Sequence, residues 1–512
     1  PAGPHALYWI LNFSELMKTI HLSLLAAGAL AVASCGKDFL NVDPIGRELE
    51  INYYQNPGQA YEALVSVYDV LQWNDQNGFS IMYLLQTVAS DDAHAGGGSA
   101  SDQPSFVAYD NFSLTPNLGP QAGFWRKNYR GIYRANLFLE KIDGVPGTTN
   151  EFVQRTTAEA KFLRAFYYLD LLRLFGSVPL ITKTLSPQEY YEVTMATPEE
   201  IFAQVEADLL AAIPNLPLEV GASEKGRATQ GAAKALLARG YLYMNTNMAD
   251  AAQLCEEVIQ SGVFSLTPNF ADIFTRANEH GPESVFEIAY SENSTVGWEV
   301  FGSGYGEGNV GVQMCGMRDY SGPEYSTGWG FAPISQELYD AMAGDTRRAH
   351  TIIVGDSIAG GTYTPGYQNT GYFVKKYAPR QSGLSADGEP ALNWGNNVRV
   401  IRYSDVLLMA AEALARSGGS EATARGYLNQ VRQRVSMQAI QASGSALLDA
   451  IALERRMELA TEGHRFFDLV RTNKAADVLG AKGFVANKHE WLPIPQTELD
   501  AAQGALTQNP NY

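Results

Sequence analysis

Cysteine is nearly missing from this chain: Cys35, Cys255 and Cys315 are the only three in 512 residues. So few cysteines exclude a disulfide-stapled scaffold. Cys255 falls inside a helical pattern and Cys315 in a glycine-rich loop; an exported chain could pair them, but two free, buried thiols are expected. Basic residues are also scarce, 37 Lys and Arg against 55 Asp and Glu, for a formal net charge of −18. That balance argues against nucleic acid or anionic lipid as a ligand. No cofactor or metal motif survives inspection. Gly306 to Gly311 matches GxGxxG but lacks a strand before it and a helix after it. Gly221 to Gly226 has phosphate-loop spacing, yet Arg227 stands where Lys is needed. His489-Glu490 has no second His four residues after the first, and His464, set among acids, is expected to be a structural residue rather than a ligand.

A membrane-spanning run is absent too. Ile20 to Ala33 is apolar but shorter than the ~20 residues a bilayer requires. It fits a signal sequence: Lys18 supplies the positive start after Met17, and Val32-Ala33-Ser34-Cys35 has the form of a lipobox. Residues 1–34 therefore read as a signal peptide with an upstream prefix, and Cys35 as the lipidated residue of a body spanning 35–512. Several acyl chains on one cysteine anchor a protein durably.

What the chain has in abundance is helical period. Asn56 and Pro57 look like a cap followed by proline at the first helical position, with Ala60, Leu64, Tyr68 and Leu71 on one stripe. Trp125 to Ile142 follows, then Ala158 to Phe175, which Gly176 and Pro179 stop. Thr229 to Gly262 holds two helical patterns around a break at Asn245 to Asn247, together 34 residues (229 through 262 inclusive), the length of a tetratricopeptide unit. Ala232, Ala235 and Gly240 would let helices approach closely, with Leu236, Leu242 and Val258 filling the gap. Ser404 to Val435 repeats the plan around Ser417 to Ser420. The expected fold is mainly α, with roughly four tetratricopeptide-type hairpins. The scaffold occupies about 52–88, 124–262 and 399–475, and two long irregular insertions occupy about 89–123 and 264–397. Such insertions are usually functional.

Ala450 to Arg471 is the densest stretch. Leu453, Met457 and Ala460 share one helical stripe, while Glu454, Glu458 and Glu462 form a row four apart. Like charges at that spacing repel, so the row must find cations, and Arg402, Arg432 and Arg434 are the candidates. A structural ion-pair lattice is expected here rather than a set of catalytic carboxylates, because no His, Cys or Ser nucleophile accompanies the acids.

Several stretches together carry a family resemblance. They are Glu454-Arg455-Arg456, Glu458-Leu459, Glu462-Gly463-His464-Arg465 and Asp468 to Arg471; Leu163 to Tyr168 with Phe175 to Leu180; Arg402 to Met409 with Ala411-Glu412-Ala413; Leu492 to Pro495 with Gln508-Asn509-Pro510; and the lipobox. In order and spacing the chain resembles the SusD/RagB family of surface glycan-binding lipoproteins. The resemblance implies an outer-membrane, cell-surface-facing protein without enzymatic activity. It would deliver an oligosaccharide or polysaccharide to a SusC-like TonB-dependent transporter, its scaffold toward that partner and its insertions toward the ligand.

The landmarks are scaffold residues, so the site rests on chemistry. A pyranose offers an apolar C–H face and a polar rim, which aromatic planes and Asp, Asn, Gln or Arg side chains match. Trp298, Tyr305, Tyr320, Tyr325 and Trp329, interleaved with glycines, are the first candidates; Asp91, Asp92 and Tyr109, in a stretch that also holds His94, join them from the first insertion. Two alternatives stand beside glycan capture. A peptide or other non-glycan binder of the same family would have a less aromatic site. A glycoside hydrolase would need two carboxylates roughly 5–10 Å apart across a cleft, drawn from Asp91, Asp92, Glu299, Glu307 and Glu324.

Replacing Cys35 by Ala is expected to release soluble protein. Continued membrane fractionation together with fatty-acid labelling of the variant would refute lipidation at Cys35.

Overall fold

The computed structural model describes residues 53–74, 79–293, 296–299 and 306–512. Cys35 and Tyr305 lie outside the described residues.

Local chemistry sets the helix ends. Helix α1 (Pro57–Asp69) starts where the Asn56 side chain accepts from the Gln59 amide. Then come α2 (Met82–Val88), α3 (Gln121–Lys141) and α4 (Asn150–Phe175). Thr149 caps α4, and Gly176, at φ 69°, ends it as the sequence suggests. Helix α5 (Pro198–Ala212) opens with a capping box between Thr197 and Glu200. The first expected hairpin is α6 (Gln230–Met244) and α7 (Met248–Gln260), turned through left-handed Asn245 and Asn247. The second is α8 (Tyr403–Ser417) and α9 (Glu421–Arg434), turned at left-handed Gly418 and capped by Ser420.

The helices pack in series, each against the next from α3 to α9, and α1 also packs on α3. Helix α7 packs directly on α8, although the whole second insertion lies between them in sequence. Ala232, Ala235, Leu236, Leu242 and Val258 are buried in this stack. Gly240 serves a different neighbour than its own hairpin partner. A Cβ there would come within 2.6 Å of the Phe202 ring on α5. The fold is mainly α, as expected, and its strands are short.

Two short ladders organise the second insertion. Strands β1 (Ser284–Ile288) and β4 (Val398–Arg402) pair antiparallel, Ser284 opposite Arg402 and Ile288 opposite Val398. They form a stem that brings the ends of the insertion together. Farther out, β2 (Ile352–Val354) pairs antiparallel with β3 (Tyr372–Val374).

Helix α10 (Ser445–Leu459) stops before the acid row ends: Thr461 has φ 69°, so Glu462 sits beyond the last turn. Met457 and Ala460 are buried, but Leu453 is 55% exposed and leaves the expected apolar stripe. The acids do find cations. Arg402 reaches Glu458 and Glu462, each at 2.8 Å, and Glu283 at 2.6 Å. Arg434 joins Glu458 at 2.5 Å and Glu283 at 3.0 Å, and Arg432 meets Glu454 at 2.6 Å. Two further cations come from the second insertion: Arg347 bonds Glu454 at 2.6 Å and Glu458 at 2.9 Å, and Lys376 bonds Glu462 at 2.7 Å. A neighbouring cluster joins Arg239 and Arg455 to Asp405, each at 2.7 Å. It continues through α11 (Arg465–Arg471), where Arg471 bonds Glu412 at 2.5 Å and Asp468 at 2.8 Å. Cys255 and Cys315 are both free and buried.

Removing one partner of a buried pair strands the other, which costs about 3–5 kcal/mol. Arg402→Met is therefore expected to lower the unfolding free energy by that amount, read as a lower denaturant midpoint at unchanged m. Acid should do the same by degrees. Burial raises the Asp468 carboxyl, but Arg455 and Arg471 outweigh it and hold it at about 2. Desolvation pulls His464 down to about 4. Both groups bind fewer protons folded than unfolded, so stability is full above ~pH 6.5 and is lost as pH falls through 4 toward 2. A melting temperature that is flat from pH 7 to 3 would contradict this.

Candidate functional site

The two insertions are stitched together. The His94 amide donates to Pro333, Ala332 donates to Ala95, and Gly97 donates to Gly330, at 3.0, 3.1 and 2.9 Å. Gly96, at φ 72°, lies so close that a Cβ would be 2.3 Å from the Gly330 carbonyl oxygen. The first loop is also tied to the scaffold. Asp91 bonds Arg456 and Arg465, each at 2.8 Å, and Asp92 bonds Arg456 at 2.9 Å. Both aspartates are buried and spent on this anchorage, which removes them from the ligand candidates and from the carboxylates a hydrolase could use.

Most of the candidate aromatics are likewise inside. Tyr320 and Tyr325 meet edge to face, centroids 5.9 Å apart, in a core with Met317, Ile353, Phe373 and Ala378. Tyr109 is buried, its hydroxyl exchanging hydrogen bonds with Gln86 and its ring lying 6.3 Å from Phe466. These three tyrosines pack the insertions and offer no free ring face.

Trp298 and Trp329 differ. Their rings stack with centroids 5.9 Å apart and planes 25° from parallel; Trp298 is 42% exposed and Trp329 half-buried. Phe79 supports Trp329 edge-on at 5.8 Å. The backbone under Trp329 is held on both sides, with Gly328, Trp329 and Gly330 donating to the carbonyls of Met317, Gln313 and Gly316 at 2.8, 3.0 and 2.8 Å. That approach requires glycine: a Cβ on Gly328 would sit 2.3 Å from backbone atoms of Gly316. Beside Trp329 opens a cleft of about 550 Å³ whose walls include Phe79, Gly98, Asp102, Gln103 and Arg318. Asp102 is exposed and receives the Gly98 amide at 2.7 Å; Arg318 lies 3.7 Å from Asp319. An extended indole surface bordered by carboxylate, amide and guanidinium is the combination that binds a sugar ring by face and rim. Both tryptophans are among the candidates named from the sequence. Asp102, Gln103 and Arg318, whose spacing carries no motif, are not, nor is Phe79, which precedes the first insertion.

Comparison with known proteins gives this geometry a lineage. Residues 354–512 match the SusD family, and residues 62–242 match a related family described as starch-binding and associating with the outer membrane. A SusD-like protein of Formosa agariphila is 30% identical over 79% of this chain and 83% of its own. A solved laminarin-binding SusD-like protein is 42% identical, covers 90% of this chain and all of its own, and superposes with a TM-score of 0.85. The chain belongs to the SusD family. Surface glycan-binding protein A of Bacteroides thetaiotaomicron, solved with laminarihexaose, superposes at TM-score 0.81 with 31% identity over 89% of this chain and 99% of its own. Both matched SusD segments leave out residues 243–353, which contain Trp298 and Trp329.

Tyr325→Ala should therefore act on folding. Emptying an aromatic core site costs about 3–5 kcal/mol. Chemical denaturation should register that loss while the folded variant keeps its glycan affinity; the opposite pattern would return Tyr325 to the binding surface.

Proposed function

We propose that this protein captures a laminarin-type β-glucan at the cell surface without cleaving it and passes it to a SusC-like TonB-dependent transporter in the outer membrane. The observation that carries the reading is the exposed Trp298 ring stacked on Trp329 beside a polar-rimmed cleft. A glucan ring has an apolar face, and the Trp298 indole, 42% exposed and backed by the stacked Trp329 ring, offers it an aromatic surface. The laminarin named for two similar solved proteins supports the substrate class.

Capture without hydrolysis is supported by the fate of three of the candidate acids. Asp91 and Asp92 are neutralised by arginines, and Glu324 pairs with Arg380 at 3.3 Å. A hydrolase needs one carboxyl free to give a proton and another free to attack or to activate water. A capture protein must instead release its cargo, which stacking and a few hydrogen bonds allow.

Trp298→Ala with Trp329→Ala is expected to abolish laminarin binding while helical circular dichroism and the melting curve stay nearly unchanged. Assaying reducing ends in the same wells separates capture from cleavage. Unaltered affinity would move the site elsewhere, and release of sugar would make the protein an enzyme. Silence across glycans would favour a peptide ligand.

A further inference from the structure

Helix α3 carries Arg126, Arg130 and Arg134 at positions i, i+4 and i+8, a stripe of three like charges along one face. Such a row repels itself unless counterions flank it. At one end, Arg134 bonds Asp69 at 2.8 Å and lies over the Trp73 ring at 4.7 Å. At the other end, Arg126 faces Glu498, whose carboxyl burial raises and the arginine's field lowers. Arg130, between them, is exposed and has no hydrogen-bonded or ion-paired partner among the described residues. The central charge of the row is left uncompensated in a protein whose overall charge is −18.

This stripe lines a groove of about 1500 Å³ between α3, the turn at Glu189–Tyr191 and the C-terminal helix Gln496–Ala501. Three phenol rings stand exposed along it, Tyr133 at 38%, Tyr190 at 53% and Tyr191 at 58%. Lys183, also in the lining, is already paired with Glu189, whereas Arg130 has no such partner among the described residues. The volume exceeds the ~300–1,000 Å³ of small-molecule sites, so the groove suits an extended chain. Its walls are mostly helical, with backbone hydrogen bonds already made, so a peptide strand would find little free backbone to pair with. Tyrosine faces with an unmatched guanidinium suit pyranose rings that carry an anionic group, which the planar fork can hold with two parallel hydrogen bonds.

We propose that this groove is a second glycan-binding site, one that takes pyranose chains bearing carboxylate or sulfate groups and engages them through Arg130, Tyr190 and Tyr191. It stands independently of the laminarin reading. Phe79 lines the Trp329 cleft and Ser80 lines this groove, so the two open on either side of one short stretch of chain.

Affinity electrophoresis of the full protein through a polyuronic acid, sulfated laminarin and neutral laminarin tests the proposal. Retention by at least one anionic polymer is expected, and which polymer retains the protein separates carboxylate from sulfate. Arg130→Ala, and separately Tyr190→Ala with Tyr191→Ala, should weaken that retention at least tenfold and leave neutral laminarin unaffected. The Trp298→Ala and Trp329→Ala protein should show the reverse pattern. Arg130, Tyr190, Tyr191 and Trp298 are exposed and can be truncated without emptying a core site, and a thermal melt of each variant verifies this. Failure of the native protein to bind either anionic polymer, or anionic retention untouched by the groove variants, would overturn the second site while leaving the laminarin reading intact.

Discussion

Arg402 ties three separate segments of this molecule together. It ends the β4 strand of the insertion's stem, immediately precedes α8, and bonds three buried carboxylates from two other segments: Glu283, beside β1, and Glu458 and Glu462, at the end of α10. Burying so many charges is costly, and an ion pair out of water stabilises only when nearly every donor and acceptor is matched. Here Arg347, Arg434 and Lys376 supply most of the matching, with the Arg434 Nε left without a hydrogen-bond partner. The lattice is directional and admits little displacement. Its consequence is positional: β4, α9, α10 and the second insertion meet in one arrangement.

The same logic extends to the first insertion. Arg456 and Arg465, on either side of the α10 terminus, hold Asp91 and Asp92, and the loop that follows these aspartates pairs with the segment bearing Trp329. Both insertions are thereby clamped to one short stretch of scaffold from opposite charge signs. The indole surface reaches solvent on a backbone already fixed by Gly328 and its neighbours. A ligand that docks on it orders few new residues, which keeps the entropic cost of binding low.

The scaffold was legible because helices announce themselves locally. Asn56 with Pro57, Gly176, the Asn245 to Asn247 break and the Ser417 to Ser420 turn each signal an end through side-chain or backbone chemistry within a few residues, and the structure ends its helices there. The acid row was legible as a demand for cations. Two of the cations that answer it, Arg347 and Lys376, were not, because they reach the row through long-range folding of an irregular segment. The site was half legible for a related reason. Composition marks 264–397 as aromatic, but a large insertion needs a core of its own, and Tyr320 and Tyr325 fill it while Trp298 and Trp329 do not. Asp91 and Asp92 have the right chemistry for a sugar rim, yet nothing nearby in sequence reveals that Arg456 and Arg465 consume them.

That division of labour follows from where the insertion enters. Helix α7 packs on α8 as if no residues intervened, and the β1–β4 ladder closes the loop at its base. Closing a loop costs entropy that grows only logarithmically with length, about 0.6 kcal/mol per doubling. The helical stack therefore tolerates wide variation in what lies beyond the stem, provided the clamping residues Arg347 and Lys376 still reach the lattice. Residues 243–353 lie outside both family matches and include most of that insertion. The stretch carries several constraints from the scaffold: α7 packs on α8, β1 pairs with β4, Glu283 bonds Arg402 and Arg434, and Arg347 returns to Glu454 and Glu458. A binding surface on such a segment can change its aromatic pattern without renegotiating the core that supports it.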